Sequence, residues 1–204
     1  MNKNQIEGEE PNLAPDPQQV REIQEFFLER QKPIIFIGPM AAGKSYVAMH
    51  LAKFYGYQFL DADQLLVEKY GPVTQIFQEQ GEAFFRQKEY EVIREILESP
   101  AHRNTVFALG GGAPMTPQVA ELLKDQNTIY ILVDAETVAP RIIGNKSRPL
   151  LQPDPLGKWT EMFEKRRETY EHLAKYTLDA RGGRSIVDMT AELQNYIVNS
   201  RKGS

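Results

Sequence analysis

No cysteine occurs anywhere in the 204 residues. That excludes disulfides, thiolate zinc sites and a cysteine nucleophile. Histidine is nearly as scarce: His50, His102 and His172 are the three present, and their spacing suggests no metal cluster. No apolar run is long enough to span a bilayer. The opening MNKNQIEGEEPNLAPDPQQ is polar and acidic, unlike a signal peptide. Positive charge is not in excess either. The net charge of −4 argues against a nucleic-acid binder held by bulk electrostatics, although a local basic pocket stays open. What is present, 41% hydrophobic and 25% charged residues, suits one globular domain with a true core. The expectation is a cytoplasmic protein that is a monomer and has no nucleic-acid or membrane partner.

Along the chain, residues 1–16 read as a disordered tail, acidic and proline-containing. Residues 17–32 read as an extension helix, with Val20, Ile23 and Phe27 on one face. A repeating grammar starts at residue 33. Short apolar runs, PIIFI (33–37), YQFL (57–60), TVFAL (105–109), TIYILV (128–133) and the weaker TLD (177–179), read as buried strands. Between them lie helical stripes such as Val47, Ala48, Leu51, Ala52 and Tyr55, and a last one at Met189, Leu193 and Ile197. Strand alternating with helix means α/β with a mainly parallel sheet, and such sheets bind ligands beyond the strands' carboxyl ends. The loops of interest therefore begin near residues 38, 61, 110 and 134. Residues 144–158, GNKSRPLLQPDPLGK, break the alternation and read as a mobile loop. Residues 199–204 form a short tail.

The first of those loops carries the strongest motif. Gly38-Pro39-Met40-Ala41-Ala42-Gly43-Lys44-Ser45 fits G-x-x-x-x-G-K-[ST] directly after a strand and before a helix. Backbone N–H groups of such a loop bind phosphate, the lysine reaches the β- and γ-phosphates, and the hydroxyl can ligate Mg²⁺. Three further groups stand near strand ends or pocket walls. Asp61 and Asp63 follow the second strand; in an extended chain they would point the same way, and Asp63 could alternatively cap a helix starting near Gln64. GEAFFR (81–86) precedes Glu89, which can pair with Arg86 along a helix. Gly110-Gly111-Gly112 follow a buried strand, as they would where something approaches the backbone closely. Arg166 lies in KRRETY. Two arginines, a carboxylate and exposed backbone suit a small acceptor that carries a carboxylate and hydroxyls.

Taken in order, the phosphate loop 38–45, FLDAD (59–63), GEAFFR with Glu89, GGG (110–112), Arg148-Pro149-Leu150-Leu151, and Arg166 four residues before Tyr170 resemble shikimate kinase over about residues 33–198. The resemblance implies a three-layer P-loop kinase fold, with a five-stranded parallel sheet in the order 2-3-1-4-5, helices on both faces and a mobile lid. It implies transfer of the ATP γ-phosphate to the 3-hydroxyl of shikimate, with Mg²⁺, in aromatic amino-acid biosynthesis. The roles it implies are these. Gly38 to Tyr46 hold the ATP phosphates, with Lys44 bridging them and Ser45 on Mg²⁺. Asp61 holds the metal through its water shell. Asp63 contacts the acceptor hydroxyls and acts as base. Arg86 and Arg166 grip the shikimate carboxylate, with Gly110, Gly111 and Gly112 beneath. Arg148 closes over the transferring phosphate, and Arg141 lies against adenine.

The match departs in places. Ala41 stands where the family usually has glycine, a strain if the backbone there needs positive φ. Tyr46 replaces a small hydroxyl residue, and Glu168 stands where proline is frequent. Arg181 and Arg184, in ARGGRS, are both open as adenine-side residues. Other readings are a P-loop kinase for gluconate or a nucleoside monophosphate, or a nucleotide-binding regulatory domain without activity.

Overall fold

The computed structural model describes Gln18, residues 32–143, Leu151 and residues 153–202. The expected extension helix, the first tail and Arg148 lie outside the described residues, apart from Gln18 and Lys32. Of the expected last tail, residues 199–202 instead continue the final helix, where Arg201 reaches Asn104, and residues 203–204 are outside the described residues.

In chain order the elements are β1 (Ile34–Ile37), α1 (Lys44–Tyr55), β2 (Gln58–Asp61), α2 (Ala62–Tyr70), α3 (Val73–Glu79), α4 (Gly81–Glu98), β3 (Thr105–Ala108), α5 (Pro117–Leu123), β4 (Asn127–Leu132), α6 (Ala135–Ile142), α7 (Pro155–Leu173), β5 (Tyr176–Asp179) and α8 (Ile186–Lys202). The strands form one sheet in the order β2-β3-β1-β4-β5. Every pairing is parallel, with Ile35 opposite Phe107 on one side and Thr128 on the other.

All four residues of β1 and all four of β3 are buried, so the sheet is covered on both faces. This is why those strands read as unbroken apolar runs rather than alternating ones. Phe36, Phe107, Leu51 and Ile93 are fully enclosed. Each such side chain contributes about 1.5–3 kcal/mol by leaving water. A separate small cluster of Leu66, Ile76, Phe85 and Val92 binds α2, α3 and α4 to one another. It fixes the helix that carries Arg86.

Two local expectations change. The helix after β2 begins at Ala62, not near Gln64, and its cap is Asp61 rather than Asp63. Asp61 Oδ1 accepts the backbone N–H groups of Asp63 at 3.0 Å and Gln64 at 3.2 Å. The extended-chain picture of the two aspartates therefore fails, because Asp63 already lies in the first helical turn. Likewise α7 begins at Pro155, inside the stretch read as loop. Proline suits a first turn, and Asp154 caps it by accepting the Gly157 N–H at 3.1 Å.

Candidate active site

The phosphate-loop sequence forms the turn from β1 into α1. The buried Lys44 ammonium donates to the carbonyls of Gly38 at 3.0 Å and Pro39 at 2.9 Å, so it spans the start of the loop. Ala42 N–H reaches the Pro39 carbonyl at 3.3 Å, closing a four-residue turn. Its third residue, Ala41, has φ 64. An L-residue held there loses about 1–2 kcal/mol relative to right-handed backbone. Both carbonyls flanking Ala41's α-carbon are tied down: Met40 O accepts from Trp159 Nε1 and Ala41 O from Arg141 Nη1, each at 2.8 Å.

The loop opens onto a cleft of about 410 Å³. Met40, Ala41, Gly43, Lys44, Ser45 and Tyr46 line one part of it; Asp61, Asp63, Arg86, Gly111, Gly112, Arg141 and Arg166 line the rest. Gly38, Pro39, Ala42 and Gly110 are buried behind that lining. Ser45 Oγ donates to Asp61 Oδ2 at 2.5 Å, so one carboxylate joins the loop to the cap of α2. With Asp61 as cap, the Asp63 side chain is left to the cleft. By surface area Asp63 is open, yet protein surrounds it on the concave side as it would a buried group. That burial, helped by the negative charge of Asp61, pushes its carboxyl above the usual range; Lys44 and Arg86 oppose the shift.

Across the cleft, Arg86 Nη1 donates to Glu89 Oε2 at 2.7 Å. Glu89 is only 1% exposed. Burial pushes its carboxyl up as well, against the attraction of Arg86. The three glycines after β3 are there for space. A Cβ on Gly110 would lie 2.8 Å from Asp63 Oδ1, and one on Gly112 would lie 2.6 Å from Arg86 Nη2. One on Gly111 would press the phosphate-loop backbone, 3.1 Å from Met40 N. The close approach expected at this run is made by the site's own side chains and backbone. Tyr170 Oη donates to the Gly111 carbonyl at 2.6 Å, holding the run from α7, one turn beyond Arg166. Burial pushes the Tyr170 phenol up to about 12, so it stays a donor.

The sequence profile of the shikimate kinase family matches residues 40–198. The chain belongs to the shikimate kinase family. It is 37% identical over 158 residues to a shikimate kinase of Streptomyces coelicolor, spanning 77% of this chain and 90% of that one. It is 40% identical over 148 residues to the chloroplastic shikimate kinase 3 of rice (Oryza sativa), spanning 67% of this chain and 50% of that one. The structure of Acinetobacter baumannii shikimate kinase in complex with shikimate superposes with a TM-score of 0.75 at 31% identity, covering 83% of this chain and 94% of that one. That of the Aquifex aeolicus shikimate kinase gives 0.70 at 29% identity, covering 84% and 99%.

In this shikimate kinase domain a second cavity, about 440 Å³, adjoins the phosphate loop. Gly43, Tyr46, Val47, Arg141, Ala180, Arg184, Ile186 and Met189 are among its walls, so Arg141 borders both cavities. Of the two arginines left open, Arg184 lines this cavity, while Arg181 pairs with Asp179 at 2.7 Å. Sequence reading missed Trp159, Met162 and Leu109. Trp159 is the one tryptophan of the chain. Rarity was its only signal, because spacing along a helix does not say which distant carbonyl an indole will meet.

Proposed function

We propose that the chain transfers the γ-phosphate of ATP to the 3-hydroxyl of shikimate, giving shikimate 3-phosphate and ADP, in aromatic amino-acid biosynthesis. One observation carries this reading above others for the fold. Arg86, braced by the buried Glu89 and packed against Gly112, faces the same cleft as the phosphate loop, Asp63 and Arg166. Paired guanidinium groups suit the acceptor carboxylate, which they can hold through parallel hydrogen bonds.

In this reading Lys44 and the loop N–H groups orient the phosphates. Asp63 accepts the proton of the attacking hydroxyl as its oxygen bonds to the γ-phosphorus and the bond to the β–γ bridging oxygen breaks. A raised carboxyl pKa makes Asp63 a better base than an ordinary aspartate. Arg141, which borders both cavities, lies against the adenine. Arg148 closes over the transferring phosphate, which would exclude water from it.

Among the described residues no group of three or more His, Asp or Glu side chains gathers to hold a metal unaided. A hydroxyl and a carboxylate in contact, Ser45 and Asp61, fit Mg²⁺, which binds through few protein oxygens together with phosphates and water. Ser45 would hold it directly and Asp61 through its water shell. When bound with ATP, the ion would neutralise charge on the β- and γ-phosphate oxygens. No described helix is long and apolar enough to cross a membrane. A monomer acting in the cytoplasm belongs to the same proposal.

The test is ADP release with Mg²⁺ and ATP against shikimate, gluconate, several nucleoside monophosphates and no acceptor. Rapid release with shikimate alone is expected. Faster turnover of another acceptor would overturn the substrate assignment while keeping the kinase.

A further inference from the structure

The turn Pro39–Ala42 has positive φ at its third residue, Ala41, and not at its second, Met40. That is the type II pattern, which ordinarily requires glycine in the third place. The same four residues can form a type I turn by rotating the Met40–Ala41 peptide through about half a turn, which returns Ala41 to negative φ. For alanine the rotated peptide is the easier one. Something outside the loop must hold the observed orientation.

Trp159 has the means. Trp159 is 2% exposed, and its ring stacks on Phe163 with centroids 5.0 Å apart. Its indole N–H can only donate, and it donates to Met40 O at 2.8 Å. Rotating the peptide would turn the Ala41 N–H toward the indole, donor against donor, and strand a buried polar group. In the observed orientation the trans peptide sends the Ala41 N–H the opposite way from the Met40 carbonyl, that is, away from the indole.

We propose that Trp159 is a positioning residue that locks the Met40–Ala41 peptide so that the Ala41 N–H serves the nucleotide phosphates. It offsets an alanine in a place suited to glycine, and it sets affinity for nucleotide rather than for the acceptor. This rests on reading the loop as the ATP site.

The experiment is a double-mutant cycle. Trp159→Phe keeps a ring against Phe163 and removes the donor; Ala41→Gly removes the side chain that makes the turn unfavourable. Calorimetry gives the ADP Kd for the unaltered protein, both single variants and the double variant, and steady-state kinetics give KM for shikimate. Trp159→Phe is expected to weaken ADP binding about 10-fold, the scale of a lost buried hydrogen bond. Its KM for shikimate stays within about two-fold. In the Ala41→Gly background the ADP loss shrinks to about two-fold, because glycine takes positive φ unaided. Unchanged ADP affinity in Trp159→Phe overturns the proposal. So does an equal loss in both backgrounds, which would mark mere packing. Should Trp159→Phe alone not fold, the double variant decides against Ala41→Gly: a gap within about two-fold supports the lock, and one near 10-fold overturns it. No ADP binding by the unaltered protein would instead overturn the kinase reading itself.

Discussion

Asp61 caps the helix in which Asp63 sits: its Oδ1 accepts the Asp63 backbone N–H at 3.0 Å. Its other oxygen takes the Ser45 hydroxyl. The two aspartates of one DAD triplet thus separate in role. Asp61 is committed to backbone and phosphate loop, and Asp63 keeps its carboxylate for the cleft.

Asp63→Asn should therefore lower kcat by about 10²–10⁴-fold, the range for loss of a general base, with ADP affinity unchanged. Calorimetry and turnover on the same sample test this. Near-normal turnover would remove Asp63 from the chemistry.

The same substitution should raise Tm, and the rise should depend on pH. The Asp63 carboxyl is shifted upward in the folded protein from its ordinary 3.8. The native state then holds that proton more tightly than the unfolded chain does. Stability falls as pH rises from the unfolded value through the folded one, and returns on acidification through that window. Asparagine has no such window. The Tm advantage of Asp63→Asn should shrink as pH is lowered, and a gap constant from neutral pH to about pH 4 contradicts the sign.

Arg86→Ala removes a guanidinium from the cleft and leaves Glu89 buried without it. KM for shikimate should rise about 30-fold, the scale of a charged hydrogen bond, while KM for ATP moves little. Tm should fall, and Glu89→Gln in that background should restore part of it by removing the unpaired charge. Equal changes in both KM values would place Arg86 in the scaffold rather than at the acceptor.

Asp61→Ala should cost about 1 kcal/mol of stability as a lost helix cap. It should also raise the Mg²⁺ concentration needed for half-maximal turnover, since the carboxylate beside Ser45 is gone. A stability loss with an unchanged Mg²⁺ dependence would leave Asp61 as a cap alone.

Much of the site could be read in one dimension because its parts are local. G-x-x-x-x-G-K-S between strand and helix demands one geometry, since the loop's own N–H groups make the anion site. Arg86 and Glu89 pair because residues three apart meet on a helix. Unbroken apolar runs announced a sheet covered on both faces. The Asp61 cap was missed because a helix could begin at Ala62 behind Asp61 or near Gln64 behind Asp63, and both residues are good caps; that the second oxygen of Asp61 meets Ser45, sixteen positions earlier, is not visible in the local sequence.

The sequence by itself determined the α/β class, the phosphate loop and the ordered set of motifs that marks the family. It also showed that Ala41 would be strained if its backbone turned left-handed. Tertiary structure alone decided that it does turn, and what holds it there: an indole from α7 and a guanidinium from α6, 119 and 100 residues from the carbonyls they bind. A contact at that separation depends on how helices pack across the sheet, and neither propensity nor spacing encodes that distance.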